Sequence, residues 1–237
     1  MTPNAVTFDL DGTLLDYRRS PGEILAVAFD SAGVDPLFPV TAYFDRFDEF
    51  NDRTDRMGEL RAECFAALAE DRGHDPDIGR AVAAAFADAR DHANVEWCPG
   101  AEPLLDALDR GGVPWAVVTN GPRDAQSEKL SAVGLDRRAD AVVYAGHDTP
   151  AKPDREPFVR ALEALGADPA DAAHVGDSHG TDVVGARAVG MGAVHVRDGT
   201  ADGSEPAPDL RVETLEQVIE EGWPAPSSDR DPDYSSA

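Results

Sequence analysis

Two aspartates, separated by one residue, lie at the end of the first apolar segment of the chain. Residues 5–8 (Ala-Val-Thr-Phe) are typical of a β-strand, and they lead directly into Asp9, Asp11 and Gly12. Two like charges this close are costly unless a cation neutralises them or a proton-transfer role requires them. The spacing therefore points to a metal site, to acid–base chemistry, or to both.

Polar side chains recur at three later points, each directly after a predicted strand or at the start of a helix. Thr119 and Asn120 follow one strand, Lys152 precedes a helix, and Asp177 and Asp182 follow another strand. Each point alone is weak evidence, because Thr-Asn-Gly and Asp-containing turns are common. Together they are more specific, since parallel strands place their carboxyl ends, where ligands bind, at one edge of a sheet.

Strands and helices alternate along most of the chain, which is typical of an α/β fold. Strands are predicted at residues 5–8, 114–118, 141–144, 172–175 and 193–196. The helical segments between them mostly end at glycine, and a last helix is predicted at residues 212–221. We therefore expect a doubly wound, mostly parallel, Rossmann-like sheet of five to six strands.

A second, smaller domain is predicted in the first part of the chain. From about residue 40 to about residue 94 the apolar residues keep helical spacing, and no strand signal interrupts them. We expect roughly four helices in this region. The predicted organisation is an α/β core of residues 1–16 and 98–223, a helical domain of residues 17–97, and a disordered acidic tail of residues 224–237.

Four short segments of the chain resemble the motifs of the haloacid dehalogenase-like (HAD) hydrolase superfamily. They are residues 8–14 (Phe-Asp-Leu-Asp-Gly-Thr-Leu), 118–121 (Val-Thr-Asn-Gly), 151–154 (Ala-Lys-Pro-Asp) and 175–182 (Val-Gly-Asp-Ser-His-Gly-Thr-Asp). The helical insert resembles the type 1 cap of subfamily I. The stretch 119–130 is similar to the nucleotidase and sugar-acid phosphatase branch. The resemblance implies an HAD-like fold and hydrolysis of a phosphate ester.

The resemblance also implies roles for individual residues, and the chemistry of their side chains agrees with those roles. Asp9 is expected to attack phosphorus and form an aspartyl-phosphate, which divides one hard displacement into two easier ones. Asp11 is expected to protonate the leaving alkoxide and later to deprotonate the attacking water. Thr119, Asn120 and Lys152 are expected to bind the phosphoryl oxygens.

A magnesium site is the second implication of the resemblance. Asp9, Asp177 and the backbone carbonyl of Asp11 are expected to bind Mg²⁺, because a hard cation prefers oxygen ligands. Asp182 is expected to orient Asp177 or a metal-bound water. The cation and Lys152 would together offset the repulsion between the carboxylates.

Composition limits the partners that the protein can have. With 46 acidic and 21 basic residues the net charge is −25, which disfavours nucleic acids and anionic membranes. Such acidity predicts a halophilic protein from a salt-rich cytoplasm, with an acidic protein from a mesophile as the alternative. No run of eighteen apolar residues indicates a membrane span, and the two cysteines, Cys64 and Cys98, form no zinc or disulfide pattern. We expect a monomer or homodimer that acts on a small phosphomonoester, such as a nucleotide, sugar phosphate or phosphoglycolate-like compound.

Other functions compete with this interpretation. Gly176-Asp-Ser-His-Gly180 fits the nucleophile elbow of serine esterases, with Ser178 as nucleophile, but only His179 and His195 follow it as candidate bases. A phosphosugar mutase of the same fold stays open, as does a non-catalytic binding protein. A dehalogenase is disfavoured by Asp11, because carbon–halogen cleavage requires no acid at that position.

Overall fold

The protein is described here by a computed structural model over residues 2–46, 49–50, 57–196 and 205–223. The chain divides into two compact units. One combines the segment up to Asp16 with the chain from Val95 onward, and the other is Tyr17–Asn94. The tail of residues 224–237, for which we predict disorder, lies outside the described residues.

Strands and helices alternate through the larger unit, while helices make up most of the smaller one. The strands of the described residues are β1 Ala5–Phe8, β2 Leu15–Tyr17, β3 Val95–Trp97, β4 Trp115–Asn120, β5 Ala141–Ala145, β6 Ala172–Gly176, β7 Gly192–Val196 and β8 Leu210–Val212. The α-helices are α1 Pro21–Ser31, α2 Val40–Asp45, α3 Met57–Glu70, α4 Pro76–Ala89, α5 Ala101–Gly111, α6 Arg123–Ala132, α7 Leu135–Arg138, α8 Arg155–Leu165, α9 Val184–Ala188 and α10 Leu215–Glu221. None of the described helices is long and apolar enough to cross a membrane.

The larger unit is built on a six-stranded sheet with the strand order β5-β4-β1-β6-β7-β8. Every pair of neighbouring strands in it is parallel. The predicted doubly wound, Rossmann-like fold class is therefore confirmed. From β1 the order runs through β4 to one edge and through β6 to the other. This reversal places the ligand crevice at the carboxyl end of β1.

The central strands are buried, which explains their nearly continuous apolar sequences. All residues of β1, β6 and β7 are buried. Helices α8 and α9 contribute Phe158, Leu162 and Ala186 to the cluster that covers Ala5 and Ala172. The buried sheet therefore provides a rigid base for the loops that follow its strands.

The last part of the sheet differs from the prediction. We predict one helix over residues 212–221, but Leu210–Val212 forms β8, and the helix begins only at Leu215. The predicted start is wrong because Thr214 caps the helix, in a box with Gln217. A three-residue strand has too short a pattern to show the alternation by which a strand is recognised.

Two further short strands lie where no strand is predicted. They are Leu15–Tyr17 and Val95–Trp97. The two strands pair with each other where the chain leaves and re-enters the larger unit. Their partners are about 80 residues apart in sequence, so no local pattern could show the pairing.

The helical unit is organised around Phe65. Its ring makes edge contacts with Phe38, Tyr43 and Phe86, at centroid distances of 5.0, 5.2 and 5.8 Å. Helices α3 and α4 pack closely there, because Gly79 of α4 lies against the backbone of Phe65. A Cβ atom at Gly79 would collide with the Phe65 carbonyl.

Replacing Gly79 by alanine should therefore destabilise the helical unit. We expect Gly79→Ala to lower the free energy of unfolding by about 1–3 kcal/mol, as overpacking typically does. Gly58→Ala in α3 is the matched control, since a Cβ there meets no atom within 4 Å. Urea denaturation of wild type and both variants checks the prediction. A Gly79→Ala variant as stable as wild type would contradict the close α3–α4 contact.

Candidate functional site

The carboxyl ends of the central strands bring the predicted site residues of β1, β4 and β6 together. Phe8, the last residue of β1, is in register with Val117 of β4 and Val175 of β6. The N–H of Asp9 donates to the carbonyl of Val175 at 2.9 Å, which extends the β1–β6 pairing by one residue. Asp9, the last residues of β4 and the first residue after β6 are therefore neighbours, as parallel strands require.

Lys152 is the positive centre of the site. Its Nζ lies 2.6 Å from Asp9 Oδ1 and 2.7 Å from Asp182 Oδ1, and its side chain is only 1% exposed. A buried ammonium is stable only when paired in this way. Asn120 fixes the lysine backbone, because its Nδ2 donates to the Lys152 carbonyl at 3.1 Å and its Oδ1 accepts from the Lys152 N–H at 2.9 Å. Asn120, predicted to bind phosphate, thus has its amide engaged in holding the lysine loop.

Asp182 is held by a chain of hydrogen bonds that begins inside the sheet. The Thr7 hydroxyl lies 2.8 Å from His174 Nδ1, and His174 Nε2 lies 3.2 Å from Asp182 Oδ1. A carboxylate can only accept, so Nε2 carries the proton and the Thr7 hydroxyl donates to Nδ1. The N–H of Ser178 donates to Asp182 Oδ2 at 3.0 Å. Asp182 lies in a π-helical turn, His179–Val183, directly before α9.

Glycines allow the acidic side chains to approach the backbone closely. A Cβ atom on Gly12 would lie 2.6 Å from Asp177 Oδ2, and one on Gly176 would collide with Asp182. Gly12 also has a φ of 76°, in the left-handed region that favours glycine. The Asp177 carbonyl accepts a hydrogen bond from His195 Nε2 at 2.9 Å, so the loop is fixed from both sides.

Three carboxylates are close enough to hold one metal ion. Asp9, Asp177 and Asp182 can each offer one ligand atom, and these atoms lie within 4.8 Å of one another. The donor set consists of hard oxygens, which fit Mg²⁺ or Ca²⁺ better than a soft metal. The group contains Asp182 and not the carboxylate of Asp11. The ligand expected from Asp11 is its backbone carbonyl, and that part of the predicted set stays a prediction.

The carboxylate of Asp11 is held by two residues that are not among those predicted from the sequence. Lys129 Nζ lies 2.6 Å from Asp11 Oδ1, and Gln126 Nε2 donates to Asp11 Oδ2 at 2.7 Å. Gln126 also donates to Thr119 Oγ1 at 2.7 Å. One sequence feature relates the two residues: they are three positions apart, which places Gln126 and Lys129 on the same face of α6. Most of α6 is polar, however, so its periodicity does not show that this face is buried.

Burial and charge shift the ionisation of the site in opposite directions. Burial raises the pKa of Asp9 to about 7, although Lys152 opposes the shift. Burial also opposes ionisation of Asp182, but the bond from His174 and the charge of Lys152 hold its pKa well below the usual range. The pKa of Asp177 is raised by burial and by the charge of Asp182. One lysine thus leaves the carboxylates only partly neutralised, and a divalent cation fits this deficit.

Ser178 has no esterase geometry among the described residues. His179 Nε2 donates to the carbonyl of Pro206 at 3.0 Å, and His195 Nε2 donates to the carbonyl of Asp177. Both candidate bases therefore direct Nε2 to the backbone. The backbone N–H of Ser178 supports Asp182, which gives this residue a structural role in the carboxylate group.

Known proteins resemble this chain in sequence and in fold. Residues 3–190 match the profile of haloacid dehalogenase-like hydrolases. A phosphoserine phosphatase from Thermus thermophilus is 38% identical over 163 residues, or 68% of this chain, which spans 65% of that relative's length. An N-acetylmuramic acid 6-phosphate phosphatase from Pseudomonas aeruginosa is 31% identical over 202 residues, 84% of each protein.

A solved structure shows the same fold at lower identity. The HAD-hydrolase YfnB from Bacillus subtilis, crystallised with magnesium, superposes with a TM-score of 0.76. The match covers 93% of this chain and 99% of that one, at 21% identity. At this identity the likeness shows a shared fold.

The raised pKa of Asp9 predicts a pH-dependent effect of Asp9→Asn on stability in EDTA. Between pH 4 and about 7 the carboxyl ionises in the unfolded chain and stays protonated in the folded one, so the contribution of Asp9 to wild-type stability falls with pH. The variant lacks this titration, so its stability relative to wild type should rise through this range and level off above pH 7. Urea denaturation at several pH values measures it.

Asp88→Asn serves as the control for this measurement. Asp88 lies exposed on α4, outside the site, so its removal should leave the dependence of wild-type stability on pH unchanged. A constant difference between Asp9→Asn and wild type from pH 4 to pH 8 would show that Asp9 is not buried in the way described.

Proposed function

This chain belongs to the haloacid dehalogenase-like hydrolases, and we propose that it hydrolyses phosphate monoesters as a Mg²⁺-dependent phosphatase with Asp9 as nucleophile. The substrate is a small phosphomonoester, in line with relatives that are named phosphoserine, N-acetylmuramic acid 6-phosphate and phosphoglycolate phosphatases. The product alcohol leaves as the aspartyl-phosphate forms on Asp9, and inorganic phosphate leaves after water hydrolyses that intermediate.

The pairing of Asp9 with Lys152 is the observation that carries the proposal. The lysine binds one oxygen of Asp9 at 2.6 Å and holds the carboxylate at the end of β1. The same ammonium is a fixed positive charge beside any phosphoryl group that reaches Asp9. Nucleophile and electrostatic stabiliser are thus preorganised by one buried contact.

Asp11 is suited to the proton transfers of both half-reactions. Its side chain is 43% exposed, although Lys129 and Gln126 contact both of its oxygens. A substrate can therefore reach this carboxyl, which would protonate the leaving oxygen while Asp9 attacks phosphorus. After the alcohol leaves, the same carboxylate would take a proton from the water that attacks the aspartyl-phosphate. Thr119, beside Asp11, would donate its hydroxyl to a phosphoryl oxygen.

A magnesium ion would complete the charge balance of the site. Asp9 and Asp177 would hold it, together with the carbonyl oxygen of Asp11, and Asp182 would keep Lys152 and the loop of Asp177 in place. The ion supplies positive charge that offsets the repulsion between a phosphate dianion and the aspartates. The fit rests on the oxygen donors and on the uncompensated negative charge among them.

The acidity of the chain indicates the conditions for an assay. A net charge of −25 suits a protein that works in a salt-rich cytoplasm. We therefore propose that activity is sustained in molar KCl, where the repulsion between surface carboxylates is screened.

The nucleophile is tested with a panel of sugar, nucleoside and hydroxy-acid phosphates, at high salt and with phosphate release as the readout. Wild-type protein should be active with Mg²⁺ and inactive in EDTA. Asp9→Asn should lose at least about 10³-fold in kcat, because an amide cannot form the intermediate. The exposed variant Asp88→Asn should keep wild-type activity. Substantial turnover by a folded Asp9→Asn protein would eliminate the mechanism.

The acid is tested by comparing leaving groups. Nitrophenolate leaves without help from an acid, whereas an alkoxide must be protonated. Asp11→Asn should therefore lower kcat for alkyl phosphates about 10- to 100-fold more than for 4-nitrophenyl phosphate. Equal losses on both substrates would count against Asp11 as the acid.

A further inference from the structure

We propose that Gln126 and Lys129 are positioning residues that hold the Asp11 carboxylate in a fixed position relative to Thr119. The inference rests on the proposed function, in which Asp11 transfers protons and Thr119 binds a phosphoryl oxygen. Neither residue needs to touch the substrate. They act by fixing the position of the Asp11 carboxyl group relative to the phosphoryl group.

The two residues occupy both oxygens of the Asp11 carboxylate. Lys129 Nζ lies 2.6 Å from Oδ1, and Gln126 Nε2 donates to Oδ2 at 2.7 Å. With one donor on each oxygen, rotation of the carboxyl group would break at least one short contact. Enough of the Asp11 side chain stays exposed for a substrate to reach it.

Gln126 links Asp11 to the end of β4. Its Nε2 also lies 2.7 Å from Thr119 Oγ1 and 3.0 Å from the Asn120 carbonyl oxygen, so its two N–H groups serve three acceptors and one of them is shared. A backbone carbonyl and a carboxylate only accept hydrogen bonds, so the nitrogen and not Oε1 must face this side. The amide therefore joins the loop after β1 to the carboxyl end of β4.

The turn after Thr119 and Asn120 is shaped for this approach. Gly121 has a φ of 137°, and a Cβ atom there would lie 2.9 Å from Gln126 Nε2. A larger residue would push the amide away from Thr119. The glycine of the Thr-Asn-Gly turn thus serves the contact with Gln126, in addition to the turn itself.

The lysine composition of the chain supports a specific role for Lys129. The sequence has two lysines, Lys129 and Lys152, and both are buried. Lys152 pairs with Asp9 and Lys129 pairs with Asp11, so each aspartate of the first motif has one lysine. Burying an ammonium is costly, and on a helix as polar as α6 an exposed position would avoid that cost.

Displacement of Asp11 should slow the chemistry much more than it weakens binding. Small misplacements of a catalytic group cost large factors in rate, since the barrier depends on aligned reacting atoms. Loss of either donor should therefore lower kcat and leave KM nearly unchanged. A residue that merely supports the fold would affect stability, or both kinetic constants, without regard to Asp11.

The test is a double-mutant cycle with Asp11→Asn, with phosphate release from an alkyl phosphate as the readout. In the wild-type background, Gln126→Leu and Lys129→Met should each lower kcat about 10- to 100-fold and change KM less than about threefold. In the Asp11→Asn background, adding either substitution should lower kcat by a further factor of less than about two. The reason is that the carboxylate through which Gln126 and Lys129 act is already absent. Lys129→Arg, which keeps a donor, should restore part of the activity.

The control is Glu128→Gln, an exposed position on the same helix, which should behave as wild type. If Lys129→Met does not fold, as judged by urea denaturation, the cycle with Gln126→Leu decides alone. Equal losses with and without Asp11, or an effect on KM only, would overturn the inference. Wild-type protein that releases no phosphate would instead overturn the proposed function.

Discussion

A buried ammonium shared by two buried carboxylates is the interaction on which the site depends. Lys152 lies within 2.7 Å of both Asp9 and Asp182, and all three side chains are almost removed from water. Each charge is stable there only because the others are present, since an unpaired buried ion costs several kcal/mol, roughly 3–5 when one partner is removed. The position of Asp9 is therefore set by an electrostatic requirement of the folded core.

Polar residues of the sheet hold the charged groups of this site in place. Thr7 and His174 lie on adjacent strands and reach the site through Asp182. Asn120 holds the backbone on either side of Lys152 through two hydrogen bonds. Because every link has a partner, these polar groups can be buried without the penalty of unsatisfied donors. The sheet thus positions both the charges and the groups that orient them.

A strongly acidic protein that binds a phosphate ester must concentrate positive charge where the ester binds. The chain carries a net charge of −25, yet its two lysines contact the two aspartates of the first motif. Local charge decides binding at this distance, because interactions with the remote surface are screened within about 10 Å at moderate salt. The acidic surface and the anionic substrate are therefore compatible.

The sequence by itself determined the fold class and the residues at the strand ends. Alternating strands and helices imply a parallel sheet. A parallel sheet brings Asp9, Thr119 and Asp177 to one edge, although these residues are far apart in sequence. These conclusions need only local patterns and one topological rule. They could be reached without any knowledge of side-chain contacts.

Only the tertiary structure decided which side chains meet at that edge. Gln126 and Lys129 reach Asp11 from more than a hundred residues away, and nothing in the polar sequence of α6 marks the face that is buried. The side-chain amide of Asn120 binds the backbone of Lys152. This contact depends on how the end of β4 packs against the loop that contains Lys152. Hydrophobic periodicity records which face of an element is buried in apolar surroundings. It carries no information on pairings between polar side chains, which are settled by distance and charge once the chain has folded.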